Sequence, residues 1–509
     1  MRAANEVFIG GKWVPATSER QLEVRSPSTG QVIAQVPDAD TGDIQAAVAA
    51  ARHAFDHGPW PGLPPAERAA VMAEFLAQLE MRSDELARTI TLENGTPTSL
   101  VRPGQVDNGL DVLRFYTEAA AALAVETPRA GRYSPVVVRQ EPVGAVAAIV
   151  PWNVPFFLAA MKFAPALAAG CTVVLKAAPE TPLHANIVAA AADAAGLPAG
   201  VLNVLAAGPS GSEQLVTHPG IDKIAFTGST AVGRRIASLA GDQLKRVTLE
   251  LGGKSAAIVL DDIDLQAAMA RLMTVSLFLS GQFCTAQSRI LVSARRYDEA
   301  VERFTAITTK LRVGDPADPA TFLGPLISQR QRDKVLGYIE TGQREGATLV
   351  AGGGVPAGLE TGWYVEPTVF RDVTPSMRIA QEEIFGPVVA FIPYEDTDDA
   401  VAIANGTPFG LHGTVWTDDV QRGLAVARRI RSGTFGVNGL SLDPAAPFGG
   451  MKQSGLGREL GPEGLSSYLE PKTITVPAGT QLPGLPGLPG RPGLPKTSGT
   501  VAEVGEDGR

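Results

Sequence analysis

From residue 143 onward the chain alternates short apolar runs with helical stretches. The runs are residues 145–150, 172–176, 201–205, 223–226 and 256–260. Strands that are apolar throughout are buried on both faces. When each is followed by a helix-length crossover, they pair in parallel. A doubly wound α/β sheet of the nucleotide-binding kind is therefore expected, with ligands at the carboxyl ends of its strands. A second series, residues 289–292, 364–369, 388–393, 413–416 and 434–437, predicts a second α/β domain. Ahead of both, residues 41–127 read as alanine-rich amphipathic helices over 43–55, 65–81 and 83–93.

Residues 143–161 carry no charge and approach the length of a bilayer helix. Pro151 and Pro155 would break that helix around Trp152-Asn153, so 145–150 is read as a buried strand with Asn153 at its carboxyl end. At the other end of the chain, residues 481–495 repeat Leu-Pro-Gly three times and then read Arg-Pro-Gly. That composition predicts an extended, flexible tail beyond a last strand at 473–476, and four glycines at a period of three are too few for collagen.

A chain of 509 residues exceeds one core, and 45% hydrophobic with 19% charged content excludes disorder for its bulk. The formal net charge of -9, without a Lys/Arg cluster, gives no footprint for nucleic acid or an anionic membrane. Only Cys171 and Cys284 occur. Two cysteines make no disulfide framework and, with no signal-peptide pattern at the start, point to a reducing, cytoplasmic setting.

Cys284 lies in Gly281-Gln282-Phe283-Cys284-Thr285, a polar turn before a strand where a nucleophile can face a cleft. Cysteine is more often a small buried hydrophobe, and Cys171 keeps that reading. Glu250, in Leu249-Glu250-Leu251-Gly252-Gly253, ends a strand between leucines, an environment that makes a general base; the alternative is an ordinary solvated carboxylate. Gly-Gly-Lys-Ser at 252–255 is no phosphate loop, because Thr248 stands where the motif needs its first glycine. Phe226-Thr227-Gly228-Ser229 opens a helix whose amides suit phosphate or simply an N-cap. His53 and His57 lack a third ligand, so no metal site is expected.

Taken in order, these motifs, with Pro151-Trp152-Asn153, Leu175-Lys176, Glu382-Glu383-Ile384-Phe385-Gly386-Pro387 and Pro447-Phe448-Gly449-Gly450, resemble the aldehyde dehydrogenase superfamily from Phe8 to Lys472. The resemblance implies Cys284 as nucleophile, Glu250 as hydrolytic base, and an oxyanion site from the Asn153 amide and the Cys284 N–H. It implies Lys162 and Glu459 as a looser proton relay. For NAD it implies Trp152, Lys176, Gly228, Ser229, Gly233, Leu251, Glu383 and Phe385, and for the substrate tunnel Val154, Phe157, Met161, Phe283, Leu442 and Phe448. The tunnel set is apolar and lacks an arginine, which predicts a neutral hydrophobic aldehyde, whether aliphatic, aromatic or terpenoid. Where many NAD-preferring members carry a glutamate, this chain has Pro179, which leaves NADP open. The implied architecture is two doubly wound α/β domains with a small oligomerisation β-segment. The dinucleotide domain is expected over 1–123 and 143–252, the catalytic domain over 253–452, the bridging segments over 124–142 and 453–480, and the tail over 481–509, in a homodimer or homotetramer. Transfer of the acyl group to coenzyme A and a non-catalytic role are the rival readings, and retention of Glu250 argues against the first.

Overall fold

A computed structural model describes residues 5–483. Residues 484–509, most of the expected flexible tail, lie outside the described residues.

The first sheet has strand order Lys12–Pro15, Glu6–Ile9, Leu202–Ala206, Thr172–Ala177, Ala145–Ile149, Lys223–Thr227, Arg246–Glu250, Gly455–Leu456. Its five central strands are parallel, and every residue of Ala145–Ile149, Thr172–Ala177, Leu202–Ala206 and Lys223–Thr227 is buried. The parallel series starts in the middle at Ala145–Ile149, winds outward one way, then crosses back to Lys223–Thr227 on the other side. That reversal opens a crevice at the strands' carboxyl ends. The sequence reading missed the two N-terminal strands, which form a hairpin through Gly10 and Gly11 at positive φ.

The uncharged run contains the expected strand Ala145–Ile149, and Pro155 opens the helix Pro155–Ala169 at its first position; all residues of both are buried. Buried Phe75, Tyr116, Phe156 and Phe163, carried by Pro65–Glu80, Asp107–Ala121 and Pro155–Ala169, share one apolar cluster against the sheet. Among the described residues no helix is long and apolar enough to cross a membrane.

The second sheet runs Thr348–Ala351, Thr368–Arg371, Val388–Tyr394, Arg289–Ser293, Ala256–Val259, Gly413–Trp416, Gly436–Val437. Two expectations shift here. The run at 256–260, read with the first series, pairs with Arg289–Ser293 and Gly413–Trp416 and is the centre of the second sheet. The strand expected over 364–369 begins only at Thr368, because Pro367 has no N–H to give a ladder.

Residues 124–141 and 470–483 belong to a separate unit, a three-stranded sheet of Glu126–Arg129, Val136–Pro142 and Leu469–Thr475 with much of its surface exposed. The expected bridging segment 453–480 is thus divided. Gly455–Leu456 pairs with Leu249 and Glu250, which fixes 453–469 in the larger unit.

The second sheet is tied at its amino edge by Arg289, which is 2% exposed. Its guanidinium donates to the carbonyls of Lys254 (3.0 Å), Ile403 (2.9 Å) and Ala404 (2.9 Å), and burial lowers its pKa to about 10. The last two carbonyls belong to the final turn of the helix Thr397–Asn405, whose negative dipole end suits a cation. Arg289→Met strands three carbonyls in a dry interior. A loss of about 3 kcal/mol is expected, read as a lower denaturant midpoint.

Candidate active site

The crevice is flanked by Trp152-Asn153, just past Ala145–Ile149, and by Gly228-Ser229, just past Lys223–Thr227. Gly228 donates its N–H to the Glu250 carbonyl at 3.0 Å. Ser229 caps the helix Thr230–Asp242, its hydroxyl accepting from the Val232 N–H at 3.4 Å. Such a cap does not preclude an anion, which a helix start can take on its remaining first-turn amides at the positive end of the dipole. Gly233, one turn in, lies so close to Leu251 that a Cβ would fall 2.3 Å from its Cδ2. A groove lined by Thr230, Gly233, Arg234, Leu251, Gln453 and Leu456 runs beside this turn. Lys176 stands in register with Ile149, and burial lowers its pKa to about 8 against the opposing field of Glu180. The loop that carries Pro179 and Glu180 is pinned by Glu93, whose carboxylate accepts from the N–H groups of Leu183 (2.7 Å) and His184 (3.2 Å).

Glu250 ends its strand 2% exposed, with both carboxylate oxygens buried and without a side-chain donor, the Gly450 backbone N–H alone acting to lower its pKa by hydrogen bonding. Burial pushes its pKa well above the carboxylate range, and the nearby Glu459 adds to the rise while Lys162 and Arg458 oppose it. Lys162 and Glu459 meet at 2.8 Å with essentially no exposure, and Lys162 also donates to the Thr227 hydroxyl at 2.6 Å. Thr227 lies directly opposite Glu250 in the ladder. The two carboxylates and the lysine therefore form one buried charged group.

Cys284 is half-buried, and its thiol is held well above its ordinary pKa by burial and by the fields of Glu250 and Glu383. Cys171 is fully buried in the core, its pKa raised to about 11. The Asn153 amide donates to the Gln282 carbonyl at 3.0 Å, two residues before Cys284. An amide NH₂ has a second N–H to offer, so Asn153 can bond an oxygen beside the sulfur. Glu383 accepts from the Gly253 N–H at 2.8 Å, and Lys254 and Lys334 pull its burial-raised pKa back. Trp152 and Phe385 pack edge to face, 5.4 Å apart. Gly252 and Gly253 allow this convergence: a Cβ on the first would lie 2.7 Å from Glu383 Oε2, and on the second 2.5 Å from the Cys284 carbonyl oxygen.

Val154, Phe157, Met161, Phe283 and Phe448 belong to one buried apolar cluster, with Leu442 and Cys284 packed against it. The sequence reading missed Phe278, which meets Phe283 edge to face at 5.6 Å. Its ring fills space left by Gly104, where a Cβ would lie 2.4 Å from Cζ. Glu93 and Lys334 were also missed, since each lies far in sequence from every motif. Among the described residues no cluster of three or more His, Cys, Asp or Glu is arranged to hold a metal ion.

The profile of the aldehyde dehydrogenase family matches residues 13–474. Geranial dehydrogenase of Castellaniella defragrans is 45% identical over 92% of this chain and 98% of its own. An aldehyde dehydrogenase of Mycobacterium tuberculosis, solved with NAD+, superposes with a TM-score of 0.93 at 48% identity, covering 94% of this chain and 100% of that one. A mutant of aldehyde dehydrogenase C from Pseudomonas syringae, solved with NAD+ and octanal, gives a TM-score of 0.90 at 40% identity over 93% and 96% of the two chains.

The buried charged group generates a stability prediction. Lys162→Met leaves the Glu459 charge without its partner and is expected to cost about 3–5 kcal/mol. The double variant Lys162→Met/Glu459→Leu removes both charges and recovers most of that loss. Denaturant midpoints of the two variants and the parent are the check.

Proposed function

This chain belongs to the aldehyde dehydrogenase family, and we propose that it oxidises a neutral, hydrophobic aldehyde to the carboxylate through a thioester on Cys284, hydrolysed with Glu250 as base. The observation that carries this reading is Glu250 itself: a buried carboxylate without a side-chain donor at either oxygen, within electrostatic reach of the one thiol that is not fully buried. A desolvated carboxylate with a raised pKa is a stronger base than one in water.

The Cys284 thiol gives its proton to solvent water in the crevice, and the thiolate sulfur attacks the aldehyde carbon. As the carbonyl oxygen gains charge, the free N–H of Asn153 and the Cys284 backbone N–H hold it. When bound in the crevice, NAD+ would supply the acceptor for the hydride that the tetrahedral carbon releases. Glu250 then takes a proton from the water that attacks the thioester, and Glu459 with Lys162 sets the field in which that proton is held or passed on. The presence of this base favours hydrolysis over acyl transfer to coenzyme A.

The residues present suit a dinucleotide. Lys176, at the end of its strand, would hold the adenosine ribose, the Ser229 helix start would offer amides to the pyrophosphate, and Glu383 would accept from the nicotinamide ribose, with Trp152 and Phe385 near the nicotinamide. The M. tuberculosis and P. syringae relatives, both solved with NAD+, support that choice. The tunnel residues, together with the geranial and octanal named for two relatives, support a medium-chain or terpenoid aldehyde. We further propose that the exposed three-stranded sheet joins copies into a homodimer or homotetramer, since outer strands of such a sheet are ready to pair. A reducing, cytoplasmic setting suits the two unpaired thiols.

Glu250→Gln should trap the acyl-enzyme. A burst of reduced cofactor of about one equivalent per active site is expected, with steady turnover down by roughly 10²–10⁴. Cys284→Ala should give no burst, and Cys171→Ala should keep both phases. Unchanged steady turnover in Glu250→Gln removes it from the mechanism.

Pro179 supplies neither a ribose acceptor nor a charge against a 2′-phosphate, while the buried Lys176 ammonium is nearby. Measurable activity with NADP is therefore expected. Pro179→Glu should move the NAD/NADP ratio of kcat/KM toward NAD by about one or two powers of ten, each missing contact amounting to roughly 1–3 kcal/mol. An unchanged ratio means that residue 179 does not face the ribose.

A further inference from the structure

Asn153 depends for its placement on a second asparagine that no family motif used above includes. The helix Ser83–Asn94 stops at Gly95, in the left-handed region at φ 80°, and a Cβ there would strike Pro325 and Pro27 at 2.8 and 2.9 Å. The stop leaves Asn94 5% exposed beneath the loop after Ala145–Ile149. Its amide donates to two successive carbonyls of that loop, Trp152 at 2.7 Å and Asn153 at 3.0 Å. Its oxygen accepts from the Thr96 hydroxyl, which in turn accepts from Gln105 Nε2 at 2.7 Å. Thr96 is 2% exposed and Gln105 fully buried, in the widened turn Arg102–Val106.

The donor order runs one way, from Gln105 through Thr96 and Asn94 to the two carbonyls. It cannot reverse, because carbonyl oxygens only accept; the Asn94 amide is therefore locked against a flip. Both of its N–H groups are spent on the backbone that carries the Asn153 side chain. A wide helical turn of this kind is uncommon and recurs near functional sites. We propose that Asn94 is a positioning residue, holding Asn153 where its amide meets the developing oxyanion. The inference rests on the reading of Asn153 as that donor.

The test is the pre-steady-state burst of NADH formation with octanal, measured on the intact enzyme and normalised to burst amplitude. Asn153→Ala should slow the burst by about 10²–10³. Asn94→Ala should slow it by about 10–100-fold, with the amplitude per folded protein and the Kd for NAD unchanged within about twofold. In the Asn153→Ala background, Asn94→Ala should do nothing further beyond about twofold, since there is no amide left to place. Thr96→Val, nearly isosteric, should slow the burst in the same direction by roughly 3–10-fold and keeps the idea testable if Asn94→Ala does not fold. Equal slowing by Asn94→Ala in both backgrounds, or a lower amplitude with an unchanged normalised rate, overturns the positioning role while leaving Asn153 as donor. An unaffected burst in Asn153→Ala overturns the oxyanion reading itself, and this inference with it.

Discussion

The site depends on how closely two backbones approach each other. Gly252 and Gly253 follow Glu250 without side chains, so the carboxylate of Glu383 and the carbonyl of Cys284 press against the main chain where any Cβ would collide with them. Interiors packed to solid density do not yield to such a collision by small adjustments. The consequence is that base, nucleophile and the acidic residue of the second sheet occupy one small volume, contributed by the end of one sheet and the turn that enters the other. The field of Glu250 on Cys284, and of Glu459 on Glu250, follows from that proximity.

Those fields all have the same sign. Glu250, Glu383 and Glu459 all raise the Cys284 pKa, while Lys162 is paired with Glu459, and Lys334 and Lys254 act on the pKa of Glu383. Such a centre disfavours ionisation of the sulfur.

Much of this was legible in the sequence where chemistry is local. The apolar runs at 145–150, 172–176 and 223–226 became central strands because nothing but a doubly covered sheet can hide them. Glu250, Asn153 and Lys176 stand at strand ends because Gly or Pro follows within a few residues. The misreadings share a different cause. Residues 256–260 have the same composition as their predecessors and only pairing decides which sheet they join. Gly455–Leu456 is too short to show a period, and was grouped with the bridging segment although it caps the first sheet. Asn94, Glu93 and Phe278 act across chain separations that no window spans. Gly104 is legible only once the ring that fills its place is known.

The pairing of Gly455–Leu456 with Leu249 and Glu250 also bears on how the protein is made. The five parallel strands are all translated by Glu250, and they can pair and collapse as soon as they emerge. The outer strand of that sheet, the partner of Lys162 and the residues around the Glu250 carboxylate arrive only after the entire second sheet has been synthesised. Until then the strand that ends in Glu250 is a bare edge, and the lysine beneath it has no counter-charge. A nascent chain therefore carries an unfinished acid–base centre through the synthesis of a whole domain, and the interval between Glu250 and Glu459 is when chaperones have the most to cover.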